Sequence, residues 1–190
     1  MKKSIMLLFF LGLWSFQMTA QEKWAVEVRP QVNFPTQQPD LIDLKTGYGF
    51  EAMLSYSFME HLGVYAGWGW NNFGVDDENG IEDLEIDETG YSFGLKYIHP
   101  IKNSMSYLIG VGGIYKHFEV EDSSGDITAD SGHELGFEIM GGLVFDLGNN
   151  FDLRPQVIYR SLSATADFGQ IEADIDLQYI SFGLGFAMKF

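Results

Sequence analysis

The chain has no cysteine. That excludes a disulfide framework and a lipoprotein anchor. Positive charge is scarce: 11 Lys and Arg stand against 27 Asp and Glu, a formal net charge of −16. Phosphate contacts need clustered Lys and Arg, so nucleic acid is not expected as a partner. Past the N-terminus, no run of residues is apolar enough to cross a bilayer as a helix. Any insertion into a membrane must therefore use strands.

The N-terminus itself has the layout of a secretory leader. Lys2 and Lys3 precede the apolar run Ile5 to Trp14, and Ala20 supplies the small residue before a cut. The run falls short of the about 20 residues that a spanning helix needs. We expect a signal peptide over 1–20 and a single β-barrel domain over 21–190, exported by the Sec route to the periplasm of a double-membraned bacterium. Removing the leader makes the chain still more acidic, because Lys2 and Lys3 go with it.

What is present is a period of two. In the last residues, Ile180, Phe182, Leu184, Phe186, Met188 and Phe190 alternate with Ser181, Gly183, Gly185, Ala187 and Lys189. This is a strand with one oily face and one small or polar face, and it ends on an aromatic. Seven further segments alternate in the same way: about 24–34, 48–58, 62–71, 91–97, 105–118, 134–146 and 151–160. The fifth is the least regular, since Leu108 and Ile114 fall opposite Tyr107, Ile109, Val111 and Tyr115. Its register is left open. A tilted membrane strand needs roughly 9–11 residues, and the segments allow for this.

Short connections at Met59–His61, Pro100–Ser104 and Gly148–Asn150 alternate with long ones at about 35–46, 72–89, 119–133 and 162–175. That alternation predicts an all-β fold: a closed, antiparallel, eight-stranded transmembrane barrel with short periplasmic turns, long extracellular loops and periplasmic termini. The oily face should point outward. An eight-stranded lumen is only wide enough to be filled by side chains, and inward rings from every strand would over-fill it, whereas the glycine-rich face fits. Tyr48, Trp68, Trp70, Tyr91, Tyr115 and Tyr159 fall toward the long loops. Phe58, Tyr97, Tyr107, Phe145, Phe151 and Phe190 fall toward the short turns. Two such girdles suit the two bilayer interfaces.

With its leader, eight amphipathic strands, glycine–aromatic alternation and terminal Phe190, the chain resembles the small outer-membrane β-barrel proteins of the OmpA/OmpX type over about 22–190. The Ala20–Gln21 junction and the acidic loops resemble the versions common in Bacteroidetes. The resemblance implies insertion by the barrel assembly machinery, with Phe190 as part of the assembly signal, and a monomer surrounded by outer-membrane lipid and lipopolysaccharide. It implies no cofactor.

If the register holds, Glu27, Arg29, Glu51, Lys96, Lys116, Glu138, Asp152, Arg154, Arg160 and Lys189 project into the lumen. Buried charges must be paired or solvated, so an ion-pair network that plugs the barrel is expected, against a gated path for protons or small ions. Val28-Arg29-Pro30-Gln31-Val32 recurs as Leu153-Arg154-Pro155-Gln156-Val157. Strands one and seven flank strand eight, so the two arginines should rise from neighbouring walls. Each proline removes a ladder donor, and a bulge or a missing bond is expected there.

The loops are acidic. Asp76, Asp77, Glu78, Glu82, Asp83, Glu85, Asp87 and Glu88 share one without a Lys or Arg; Glu119, Glu121, Asp122, Asp126 and Asp130 share the next; Asp167, Glu172, Asp174 and Asp176 share the last. Such clusters attract divalent cations weakly, but the EF-hand pattern fails, because Val75 and Ile86 occupy its first and twelfth positions around Gly80. His117 and His133, near Ser123, Ser124 and Ser131, supply the residue types of a lipid hydrolase without any motif; His61 and His99 belong to the short turns. Gly110-Val111-Gly112-Gly113 lies within a strand and is not a nucleotide loop. The leading expectation is a non-enzymatic envelope protein that presents acidic extracellular loops as an interaction surface. The alternative is a narrow porin-like or OmpW-like conduit for small ions or hydrophobic solutes, for which inward Leu108, Ile114 and Ile158 would supply an apolar lumen patch. Removal of about 76–88 is expected to leave the barrel folded.

Overall fold

The computed structural model describes residues 22–37, 43–76, 85–121, 127–167 and 172–190. The leader, Asp77, Glu78, Asn79, Gly80, Glu82, Asp83, Asp122, Ser123, Ser124 and Asp126 lie outside the described residues. The strands are β1 (Trp24–Gln37), β2 (Asp43–Leu44), β3 (Gly47–Ser57), β4 (Leu62–Asp76), β5 (Glu85–Lys102), β6 (Met105–Glu121), β7 (Ile127–Asp130), β8 (Glu134–Gly148), β9 (Phe151–Asp167) and β10 (Glu172–Lys189). Eight long strands pair antiparallel, each with its neighbour in sequence, and β10 closes the circle on β1 through pairs such as Ala25↔Lys189 and Phe34↔Ile180. The short β2 and β7 extend the wall locally, on β4 and between β6 and β9.

One rim carries the short turns. One of these joins β8 to β9, where Asn149 (φ 52°) and Asn150 (φ 68°) form a two-residue hairpin with both central residues left-handed. The start of β1 meets Phe190 on the same rim. Trp24 N donates to Phe190 O at 3.1 Å, and Phe190 N donates to Trp24 O at 2.9 Å.

Alternation sorts the side chains. Val26, Val28, Phe50, Leu54, Trp68, Phe93, Ile109, Val111, Phe137, Ile139, Phe182 and Phe186 all stand exposed on the outer wall. No soluble monomer keeps an apolar belt of that extent in water; against hydrocarbon it is stable. The fifth long strand, β6, has a definite register. Leu108 and Ile114 point inward and are buried, while Ile109, Val111 and Tyr115 point out.

Pro30 and Pro155 interrupt the ladder without a bulge. The β1–β10 pairs stop at Val28↔Phe186 and resume in the same register at Gln31↔Gly183. The β8–β9 pairs are likewise missing between Gly142↔Gln156 and Phe145↔Leu153. Each proline lacks an N–H to give, and the wall absorbs that loss as a local gap.

Toward the rim opposite the short turns, the pattern inverts. Phe73, Ile86, Ile114, Phe118, Leu162, Leu177 and Tyr179 point inward and form a buried apolar cluster. Glu85, Asp87, Thr89 and His117 occupy the outer face at the same level. The strands continue past the apolar belt as an ordinary water-facing sheet, polar outside and apolar inside.

Candidate functional site

Among the described residues, the lumen between the apolar cluster and the short-turn rim holds five buried carboxylates (Glu27, Glu51, Glu88, Glu138 and Asp152) and five buried cations (Arg29, Lys96, Lys116, Arg154 and Arg160). These ten charges balance, although the chain carries −16. Each of these residues lies on an inward register position. Gly183 and Gly185 leave the room that long side chains need: a Cβ at 183 would sit 2.7 Å from Arg29 Cδ, and one at 185 would sit 2.5 Å from Glu27 Oε1.

The network has three tiers. Nearest the short turns, Glu27 accepts from Arg154 Nη1 at 2.8 Å and Gln156 Nε2 at 2.6 Å, with Lys96 Nζ and Arg29 Nη1 each 3.7 Å away. Arg154 also donates to Asp152 at 2.7 Å, and Lys189 Nζ lies 3.1 Å from the same carboxylate. The two arginines of the repeated pentapeptide therefore meet around Glu27 and Gln156, which accepts from Arg29 Nη1 at 2.8 Å.

In the middle tier, Glu51 accepts from Arg29, from Ser92 and from Arg160 Nη2, the last at 2.6 Å. Arg160 Nε donates to Glu138 at 2.8 Å, and the Tyr65 hydroxyl donates to the other Glu138 oxygen at 2.7 Å. In the upper tier, Glu88 accepts from Lys116 Nζ at 3.2 Å, Asn71 Nδ2 at 2.6 Å and the Tyr179 hydroxyl at 2.6 Å. Gln31, Asn33 and Ser181 continue that tier through Asn71.

Glu88 belongs to this interior and not to an acidic loop. It is buried, because β5 already begins at Glu85. The signal was present in the sequence: counting back by twos from Lys96 passes Gly94, Ser92 and Gly90 to Glu88. Tyr65, Ser92 and Tyr179 are further network members that charge alone does not reveal.

Below the lowest tier, a vestibule of 360 Å³ opens at the short-turn rim, with Lys96, Arg154, Asp152 and Lys189 in its lining. A second apolar cluster (Met53, Tyr65, Leu108, Met140, Val144 and Ile158) packs inside the wall beside the lower tiers. The two inward residues of the irregular strand therefore divide, Leu108 into this cluster and Ile114 into the apolar cluster of the far rim.

Of the nucleophile candidates, Ser131 is the described serine, and it is not joined to either histidine. Ser131 Oγ accepts from Phe118 N at 2.9 Å and donates to Gly132 O, and neither histidine engages it. His117 and His133 instead face one another, Nδ1 to Nδ1, at 3.2 Å. Ile86, at the failed EF-hand position, points into the apolar cluster.

A family model described as the outer membrane protein beta-barrel domain matches residues 6–190. The chain belongs to that family. As a member it is an outer-membrane protein, and its apolar belt faces the membrane lipid. Comparison with curated proteins finds no match. Among solved structures, the chain is similar to OprG from Pseudomonas aeruginosa, with a TM-score of 0.67 at 17% identity over 88% of this chain and 95% of that one. It is similar to Neisserial surface protein A, with a TM-score of 0.64 at 14% identity over 88% and 97%. It is also similar to the Escherichia coli outer membrane protein W, with a TM-score of 0.59 at 12% identity over 91% and 100%. At such identities the likeness shows the shared barrel alone.

Proposed function

We propose that this outer-membrane barrel is a non-enzymatic envelope protein with a plugged lumen, whose work is done by its lipid-facing wall and by the acidic rim opposite the short turns. That rim faces outward from the cell and the termini face the periplasm. What supports this reading is the interior: every buried carboxylate named above has a cationic partner, and the apolar cluster around Phe73 and Phe118 sits across the lumen above the charges. An ion crossing the barrel would have to break charge-assisted contacts in three successive tiers and then pass through packed rings. Acidic side chains on the rim, among them Glu85, Asp87, Glu119 and Asp130, would hold divalent cations weakly and so bridge to anionic lipopolysaccharide.

The 360 Å³ vestibule favours one other reading, a conduit for small ions or hydrophobic solutes that the network gates. Single-channel recording separates the two. Folded protein, selected by its heat-dependent gel mobility, should stay electrically silent in a planar bilayer at moderate voltage. Discrete openings would overturn the plug and favour the conduit, and Arg29 and Arg154 would then be the residues to change first.

A further inference from the structure

Just beyond the aromatic girdle, where the outer wall turns polar, β6 and the residue before β8 bring two imidazoles together edge-on, with ring centroids 4.3 Å apart and planes at 76°. The backbone sets this up. Ser131 N donates to Phe118 O at 3.0 Å, and Phe118 N donates to Ser131 Oγ at 2.9 Å, so Ser131 is pinned beside Phe118. Gly132 follows with φ +67°, a conformation suited to glycine, and Asp130 Oδ1 accepts from its N–H at 2.8 Å. The turn folds His133 back over β6. There its ring packs on Tyr115, with centroids 4.9 Å apart, and its Nδ1 comes to 3.2 Å from Nδ1 of His117.

That separation has a second meaning besides a hydrogen bond. Two imidazole nitrogens bound to one Zn²⁺-sized ion at about 2.0–2.1 Å, subtending a near-tetrahedral angle, lie about 3.1–3.4 Å apart. The far nitrogen of His117 supports the same arrangement. Its Nε2 lies 3.6 Å from Glu119 Oε1. That is an ion-pair distance rather than a hydrogen bond, and a carboxylate so close favours the tautomer with its proton on Nε2 and the lone pair on Nδ1, as the outer-sphere partners of metal-bound histidines do. We propose that His117 and His133 form a surface chelate for a borderline divalent transition metal such as Zn²⁺, Ni²⁺ or Cu²⁺, with Glu119 as the positioning residue. Among the described residues no three such ligands converge, so these residues supply two nitrogens and water completes the shell. Imidazole ligands select these ions over Ca²⁺ and Mg²⁺, which take oxygen.

The other histidine pair is the internal control. The rings of His61 and His99 approach to 4.7 Å at the opposite rim, but His99 Nδ1 is turned to the Tyr97 hydroxyl at 3.3 Å. The test is calorimetric titration of the folded, untagged protein in detergent micelles with Zn²⁺ or Ni²⁺, since a polyhistidine tag would supply competing imidazoles. One equivalent should bind. H117A and H133A should each weaken binding at least about tenfold and E119Q roughly tenfold, while the H61A/H99A variant binds as the parent does. Cu²⁺ paramagnetic resonance should show two imidazole nitrogens in the parent and one in each single variant, a signature independent of folding yield. No binding by the parent, retention by the H117A/H133A double variant, or displacement by millimolar Ca²⁺ would each overturn the chelate.

Discussion

Tyr179 on β10 donates its hydroxyl proton to Glu88 on β5, four strands away around the wall, at 2.6 Å. The bond spans the full width of the lumen and anchors the floor of the apolar cluster, because the Tyr179 ring also packs on Phe73 at 5.4 Å. Glu88 in turn holds Lys116 at 3.2 Å. Removing the carboxylate strands a buried ammonium, so Glu88→Ala should destabilise the folded barrel by about 3–5 kcal/mol. Tyr179→Phe keeps the ring and loses one bond to a charged acceptor, about 1.5–3 kcal/mol. Urea unfolding of the two variants, followed by tryptophan fluorescence, measures both. Equal losses would mean that Glu88 contributes through its bond to the Tyr179 hydroxyl and not through its pairing with Lys116.

Gly90 tests close strand approach. It has φ +153°, and a Cβ there would lie 2.6 Å from the backbone Cα of Lys116. Gly90→Ala should cost roughly 1–3 kcal/mol through strain that the two hydrogen-bonded strands cannot relieve. The same unfolding experiment reads it, and an unchanged midpoint would show that β5 and β6 can separate at that level.

The fate of the acidic segment between β4 and β5 depends on where it is cut. Replacing 77–84 with a short Gly-Ser linker should leave the heat-dependent gel shift intact. Extending the deletion from 76 through 88 should abolish it, because the longer cut removes Ile86 from the apolar cluster and Glu88 from Lys116. The narrower boundary corrects the deletion drawn from sequence alone.

Phe190 closes the barrel and stands half-exposed on the outer wall. Phe190→Ala should lower the amount of folded protein in the outer membrane, judged by the heat-shifted band in membrane fractions, while protein refolded in detergent keeps its stability to within about 1 kcal/mol. A loss confined to the cell points to recognition during assembly. An equal loss in detergent points to ordinary packing.

Most of the barrel could be read from the alternation, because lipid demands an apolar outer face and the narrow lumen demands a small or charged inner one. The lumen positions from Glu27 to Arg160 followed from that one rule. The rule stopped being legible where its physical cause stops. Beyond Tyr91 and Tyr115 the outer face meets water, so Glu85, Asp87 and His117 point out while Ile86 and Phe118 turn in. Acidic strand ends then look like loop, and the apolar cluster has no outward stripe to announce it. The His117–His133 contact was out of reach for a different reason, since it depends on the left-handed turn at Gly132 and not on any periodicity.

The balance of five carboxylates against five cations also governs how this interior can change over generations. Glu27 serves Arg154 and stands within reach of Lys96 and Arg29; Glu51 serves Arg29 and Arg160 together. A lone replacement of Glu27 or Glu51 by a neutral residue leaves more than one cation short, and a lone replacement of Lys116 takes from buried Glu88 the cation it pairs with. Viable descendants must alter opposite charges on different strands at once, or drift only where the wall meets lipid, where one apolar side chain is as good as another.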